Sequence, residues 1–379
     1  MIHILYIIHR YRRNYPLLNL QVRLNPDKFR ITVCFLSGEN DGKNQLDADG
    51  YDVVYLGCKE LRLRNVPLIF RLKRIMEERC IDVVNCQQHR STPLGVAAAV
   101  LAKQKPAVIS TLHGLGTAAT WRRKCLNWLL YKKLDRIVGI SHGVSQDIVT
   151  SNWCLPAAKV ATIQNGLDYD AFLAQGSKED ARNEILPGKT EGFWFGTAGR
   201  LSPVKNQRTL IVAFSKIALN RRNAHLLIAG TGELAAELEN LVNKLNLHGQ
   251  VHFLGYRRDM PLVFRALDVF VLPSLREGLP LAMLEAMASG LPVIAARVGG
   301  IPEVFGEQDL GRLIEPRDPS SLVAAIQEMV EASPERLAAQ GRVARLRATE
   351  DFSSRRMISG YERLYEQVCA VKNARHRNS

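Results

Sequence analysis

The chain alternates short, nearly unbroken apolar runs with longer stretches whose apolar residues return every three or four positions. The short runs predict strands at 2–8, 29–36, 51–56, 82–87, 107–113, 136–141 and 159–165. A second series falls at 193–199, 224–230, 251–255, 269–274, 292–297 and 311–316. Segments such as PLGVAAAVLAKQ, QRTLIVAFSKIALN and GELAAELENLVNKLN carry the helical period between them. Strands without polar alternation are buried on both faces, which implies parallel sheets covered by helices on each side. The fold class that follows is α/β, with two doubly wound, Rossmann-like domains.

The strand series restarts near residue 193, after the polar stretch LAQGSKEDARNEILPGKTEG at 173–192. A chain of 379 residues exceeds one ordinary domain, so the boundary is expected within 167–192. The expected domains are 1–170 and 171–379, with the final helix, at 353–371, packing back toward the N-terminal domain. Two such domains in tandem are expected to face a cleft at the carboxyl ends of their strands.

Charge changes this picture in one respect. Residues 1–170 hold 24 Lys and Arg against 14 Asp and Glu, net +10, and the remainder holds 27 against 23, net +4. The first domain therefore favours an anionic partner: a phosphorylated acceptor, an anionic membrane or nucleic acid. Two basic segments with apolar neighbours stand out, KELRLRNVPLIFRLKR at 59–74 and WRRKCLNWLLYKK at 121–133. No run is long and apolar enough to predict a transmembrane helix, and the first apolar stretch precedes its positive charges, the reverse of a secretory signal. The seven cysteines are irregularly spaced without a CxxC pair, and read as reduced, mostly buried thiols of a cytoplasmic chain. Asp47-Ala48-Asp49 is a nominal metal motif, but it lies in a polar loop and reads as a solvated turn.

Candidate chemistry concentrates in SLREGLPLAMLEAMASGLPVIAARVGGIPEV, residues 274–304. A strand ends at Ser274, Pro280 suits a first helical position, and Gly290 suits the helix's C-terminal cap. Backbone N–H groups in the stretch Gly278–Leu281, Pro280 itself having none, then open onto a helix N-terminus that favours an anion. Glu277 precedes this helix and Glu285 lies inside it, so two carboxylates can accept from hydroxyls beside a phosphate: one from a sugar, the other from a ribose.

This segment resembles the E-x7-E signature of retaining family 4 glycosyltransferases of the GT-B fold. GTAGRLSPVKNQRTLI, at 196–211, is similar to that family's diphosphate-binding segment, and STLHGLGTA, at 110–118, to its histidine loop. ISHGVSQDI and IQNGLD are also family-like, and would place Ser141, Asn165 and Gly166 near the interdomain seam. The resemblance implies that His113, Arg200, Lys205 and Glu277 serve catalysis. It implies donor contacts from Gly230, Gly255, Tyr256, Arg257, Gly278, Leu279, Pro280, Leu281 and Glu285. It further implies a nucleotide-sugar donor, UDP favoured, no metal or other cofactor, and a glycan or glycolipid acceptor such as a lipopolysaccharide core or lipid-linked saccharide. One departure is plain. Many relatives carry a glycine pair after the first strand, whereas here the loop reads HRYRRNYPLLNL and the first glycine is Gly38. Arg10, Arg12 or Arg13 could act there instead. His89 is an acceptor-side candidate, whereas His3 and His9 read as structural. Two other readings stay open at this point: a nucleotide-sugar epimerase of similar shape, and a basic nucleic-acid-binding protein, against which no helix-turn-helix or aromatic-basic motif appears.

Overall fold

In a computed structural model the protein is described at residues 1–58, 65–116, 120–152, 155–173 and 176–377. The chain divides into two compact units, Met1–Gly166 with Ser354–Ser379, and Leu167–Ser353. All thirteen apolar runs form strands. In the first unit these are β1 (Ile2–Arg10), β2 (Phe29–Ser37), β3 (Asp52–Cys58), β4 (Val83–Gln87), β5 (Ala107–Leu112), β6 (Arg136–Gly139) and β7 (Val160–Thr162). They lie in the order β3-β2-β1-β4-β5-β6-β7, every pair parallel. The second unit holds β8 (Phe193–Ala198), β9 (Ala224–Ala229), β10 (Val251–Gly255), β11 (Val269–Leu272), β12 (Val293–Ala296) and β13 (Gly311–Ile314). Its order is β10-β9-β8-β11-β12-β13, again all parallel. In each sheet the order reverses beside the first strand, between β1 and β4 and between β8 and β11. Open α/β sheets leave a ligand crevice at such a point, outside the carboxyl ends of the strands.

The units differ in detail from the expected ranges. The first ends at Gly166 rather than 170, and the polar stretch after it belongs to the second unit. Its helix, Lys178–Ile185, buries Arg182, whose guanidinium bonds Asp268 at 2.6 Å and the Ala266 carbonyl at 2.9 Å. A buried arginine is tolerable because its donors are met in this way. The last helix, Ser354–Arg377, belongs to the first unit, where Met357, Tyr361, Leu364, Tyr365 and Val368 join the core around Tyr6 and Phe29. Their spacing of three and four residues puts all five on one face.

Smaller readings also change. Cys34 and Cys86 are buried, but Cys58 and Cys369 are half-buried and Cys80 and Cys125 exposed, so the thiols are not mostly buried; Cys154 lies outside the described residues. Asp47 falls in a short helix, Gln45–Ala48, where it accepts from the Tyr55 hydroxyl, and Asp49 accepts from Gln45. Among the described residues no helix is long and apolar enough to cross a membrane.

Candidate functional site

In the second unit the loops at the carboxyl ends of the strands are sewn together by backbone contacts. Beyond β8 the chain passes through Gly199 and Arg200 and turns at Pro203–Lys205. It then enters the helix Gln207–Ala218 through Asn206, which is left-handed at φ 56°. The Asn206 amide donates to the Pro273 carbonyl at 3.2 Å, and the Leu275 N–H donates to the Val204 carbonyl at 2.7 Å. The β11 loop thus hangs from the β8 loop, and this brings Lys205 to Glu277. Lys205 Nζ donates to Glu277 Oε1 at 2.6 Å, with the Glu277 side chain only 9% exposed. An ammonium has three donors, so two remain for another anion. Arg200 is exposed and its carbonyl is held by Gln207 at 2.9 Å. Among the described residues its guanidinium makes no ion pair.

Two glycine contacts show how these loops are held. A Cβ on Gly299, at φ +57°, would meet the Glu277 carbonyl oxygen at 1.9 Å, and the Gly300 N–H donates to the Gly278 carbonyl at 2.7 Å. VGGIPEV therefore supports the Glu277 loop from behind. Gly299→Ala is expected to keep the fold but displace Glu277, lowering kcat by up to about 10²-fold. Circular dichroism and steady-state kinetics on one preparation check this, and unchanged turnover would remove the support role. Gly230 is tied similarly: a Cβ there would meet the Gly199 carbonyl oxygen at 2.0 Å, and its N–H donates to the Gly255 carbonyl at 2.7 Å.

The helix after Glu277 runs Leu281–Ala288, with Pro280 as its N-cap rather than its first helical residue. Gly290, at φ +83°, lies just past its end. Glu285 sits within the helix, and burial pushes its carboxyl up to about 7. Past β10, Tyr256 is 69% exposed. Arg257, the next residue, forks onto Asp259 at 2.9 and 2.5 Å.

In the first unit a cavity of about 400 Å³ opens at the β1/β4 reversal, lined by His9, Arg10, Arg12, Gln87, Arg90 and His113 among others. Of the three arginines weighed for this loop, Arg10 and Arg12 line the cavity, whereas Arg13 pairs with Asp41 at 2.5 Å. Gly38 packs against Tyr11, where a Cβ would lie 2.8 Å from Tyr11 Cβ, so the first glycine shapes this loop from the β2 side. His113 follows β5, and its Nε2 lies 2.6 Å from Gln87 Oε1. Burial pushes the imidazole down to about 4, so it is neutral near pH 7. In the same loop the Gly116 N–H donates to Asp147 at 2.9 Å, while Thr117 and Ala118 lie outside the described residues. His89 is tied to Asn127 at 2.9 Å, and His3 lies between Thr32 and the Arg79 carbonyl. Ser141 caps the helix His142–Ser151 through the Val144 N–H, and the Gly166 N–H points to Met357 Sδ at 3.3 Å.

Sequence reasoning missed Asn85, Gln87, Arg90 and Asn206. A signal for the first two was present: in VVNCQ the polar residues alternate inside an apolar strand, and buried polar groups at that period need partners.

Comparison with known proteins accords with this geometry. The family described as "Glycosyltransferase Family 4" matches residues 17–171, and "Glycosyl transferases group 1" matches residues 178–346. Over 281 residues the chain is 32% identical to an Escherichia coli UDP-Gal:alpha-D-GlcNAc-diphosphoundecaprenol alpha-1,3-galactosyltransferase, covering 71% of this chain and 72% of that relative. The chain belongs to the family 4 glycosyltransferases. This glycosyltransferase is also 26% identical to the O-antigen biosynthesis glycosyltransferase WclY of Escherichia coli, over 94% of each chain. Its fold matches Anabaena HepE, solved in complex with UDP, with a TM-score of 0.84 at 20% identity, covering 97% of this chain and 100% of that one. The architecture is that of the GT-B glycosyltransferases, two Rossmann-like α/β domains.

Proposed function

We propose that the enzyme transfers a hexosyl unit from a UDP-sugar to a hydroxyl of a lipid-linked or lipopolysaccharide-type glycan precursor, with retention at the anomeric carbon and without a metal. The observation that carries this is the Lys205–Glu277 pair beside Arg200, which sets cations and a carboxylate together at one switch point. Arg200 and the two remaining Lys205 donors meet the diphosphate, as do the N–H groups at the start of the helix Leu281–Ala288. Glu277 accepts from hydroxyls of the sugar, Glu285 from the ribose, and the strand ends at Gly230 and Gly255–Tyr256 border the base. The C1–O bond to the diphosphate breaks and its electron pair stays on the diphosphate oxygen. That oxygen takes the proton of the acceptor hydroxyl, whose oxygen forms the new C1–O bond on the same face. The cations stabilise the charge as it develops.

The acceptor reading rests on the basic cavity of the first unit. Arg10, Arg12 and Arg90 suit a phosphate beside the acceptor sugar, as in the diphosphate-linked lipid that the Escherichia coli relative's name specifies. A nucleotide-sugar panel offered with and without GlcNAc-diphospholipid, in EDTA, tests the whole reading. UDP release that needs acceptor, survives the chelator and gives an α-linked product by NMR is expected. Release restored only by Mg²⁺ or Mn²⁺ would overturn the metal-free reading, and sugar inversion without acceptor would favour an epimerase.

We also infer peripheral contact with an anionic membrane, and the structure shifts attention from one basic segment to the other. In the helix Val66–Glu78, Lys73 and Arg74 pair with Glu77 and Glu78, and Arg71 donates to the Leu56 carbonyl. Lys59, Arg62 and Arg64 lie outside the described residues. The helix Trp121–Tyr131 has no acidic residue, and exposes Trp121 at 71%, Trp128 at 39% and Leu129 at 58% beside Arg123 and Lys124. Binding to vesicles is expected to need anionic lipid and to fall with salt, each basic residue contributing about 1 kcal/mol. It is also expected to drop when Arg123 and Lys124 become Ser. Equal sedimentation with neutral vesicles would sink the electrostatic docking.

A further inference from the structure

Beneath the basic cavity, buried side chains from β1, β4, β5 and two helices form one connected hydrogen-bond relay, and its direction is forced. The Tyr6 hydroxyl lies 3.1 Å from the Gln21 backbone carbonyl, which can only accept, so Tyr6 spends its single proton there. Tyr365, of the last helix, lies 2.8 Å from the Tyr6 hydroxyl and must therefore donate to it. With that proton committed, the Tyr365 oxygen can only accept from Asn85, 2.7 Å away, which orients the Asn85 amide with its Nδ2 toward Tyr365. Asn85 Oδ1 then accepts from Thr111 at 2.9 Å and from Gln87 at 3.3 Å, so Gln87 presents Nε2 on that side. The second Gln87 proton goes to Gln21 Oε1 at 3.1 Å, and Gln21 Nε2 donates to Tyr361 at 3.2 Å. Only Gln87 Oε1 remains for His113 Nε2, at 2.6 Å.

Amide orientations and histidine tautomers are often undetermined because a whole network can reverse. Here it cannot, since one end is a carbonyl. Tyr6, Asn85, Thr111, Tyr361 and Tyr365 are wholly enclosed, so their partners are one another, and of the relay members before His113 Gln21 and Gln87 alone border the cavity. We propose that this relay, running from the last helix to the cavity wall, holds His113 as the Nε2–H tautomer. Gln87, Asn85, Tyr365 and Tyr6 act as positioning residues that leave Nδ1 as a hydrogen-bond acceptor. His113 then selects a hydroxyl of the bound sugar substrate, because a bare ring nitrogen attracts an O–H and repels a phosphate oxygen. Anion binding in the same cavity falls to Arg10, Arg12 and Arg90. The lowered imidazole basicity fits a ring that stays neutral. The consequence for sugar recognition rests on His113 being a site residue; the tautomer does not.

The test is long-range ¹H–¹⁵N correlation of the full chain labelled at histidine, with His113 assigned by its loss in His113→Gln. The expected wild-type pattern is a protonated Nε2 and an unprotonated Nδ1, unchanged between about pH 5.5 and 8, where an ordinary histidine titrates. His9, Arg10, Arg12 and Arg90 line the same cavity and are present in every variant used. Tyr6→Phe removes the group that commits the Tyr365 proton, so the amides can turn over. His113 is then expected to populate the Nδ1–H form, and kcat to fall by about tenfold, the cost of one good hydrogen bond, with KM for the nucleotide sugar little changed. Gln87→Glu, which still accepts from Nε2, is expected to keep the wild-type tautomer and raise the imidazole's basicity. A wild-type Nδ1–H tautomer, an imidazolium at neutral pH, or one unchanged tautomer in Tyr6→Phe would each overturn the relay. If the tautomers behave as described but His113→Gln turns over like wild type, the relay stands and the assignment of His113 to the reaction site falls.

Discussion

Lys205→Ala is expected to lower kcat by about 10²–10³-fold, the usual cost of removing one preorganised donor to a developing charge. The physical reason is visible in how Lys205 is held. Its amine is fixed on Glu277 at 2.6 Å by a loop that the Asn206 amide and the Val204 carbonyl tie to the β11 loop. It therefore needs little reorganisation when the diphosphate leaves. The same contact predicts a stability effect, because the variant leaves a nearly buried carboxylate without its partner, at a cost of about 1–3 kcal/mol. The two effects can be separated. Lys205→Ala with Glu277→Gln is expected to recover most of the lost Tm and none of the lost turnover. Arg200→Ala, at an exposed residue, is expected to reduce kcat with little change in Tm, and not additively with Lys205→Ala, since both serve one diphosphate. A Lys205→Ala enzyme that is destabilised yet turns over normally would reduce the pair to a structural ion pair.

Glu285 carries the second large expectation, in opposite directions for stability and binding. Burial raises its folded carboxyl from 4.5 to about 7. Below pH 4.5 the group is protonated in both folded and unfolded chains and costs nothing. Between pH 4.5 and 7 the unfolded chain loses its proton while the folded one keeps it, so stability falls across that window, by up to roughly 3 kcal/mol once pH has passed 7. Glu285→Gln is accordingly expected to raise the Tm of the free enzyme near pH 8 and to leave it almost unchanged near pH 4. A ribose that donates two hydrogen bonds needs the ionised carboxylate. Wild-type affinity for UDP should then rise between about pH 6 and 8, with proton release on binding, whereas Glu285→Gln should bind weakly and without that slope. Calorimetry in buffers of different ionisation enthalpy reads both quantities. A UDP affinity independent of pH in the wild type would show that Glu285 stays protonated in the complex and does not serve the ribose as proposed.

Much of the architecture was legible along the chain because parallel strands buried on both faces must be apolar throughout. Thirteen such runs, broken by helical periods, leave few alternatives to two doubly wound sheets. Individual site residues were legible where local geometry places them: Glu277 past a strand end, Glu285 inside the helix that follows, Lys205 at a turn before another helix. The sequence-level motif could not say that Lys205 and Glu277 touch, since they are 72 residues apart and meet only because β8 and β11 are neighbours in the sheet.

The sequence by itself determined what depends on period and on single residues: the strands and helices, the two-sheet class, the basic excess of the first 170 residues, and the positions of the glutamates and cations. Tertiary structure alone decided what depends on contacts between segments distant along the chain. Packing buried Arg182 on Asp268 and turned Arg13 to Asp41. It also set Gly299 against the Glu277 carbonyl. The His113 tautomer belongs to this second group most completely. It follows from the carbonyl of Gln21, a group every residue carries, whose effect depends only on which hydroxyl the fold brings within 3.1 Å of it.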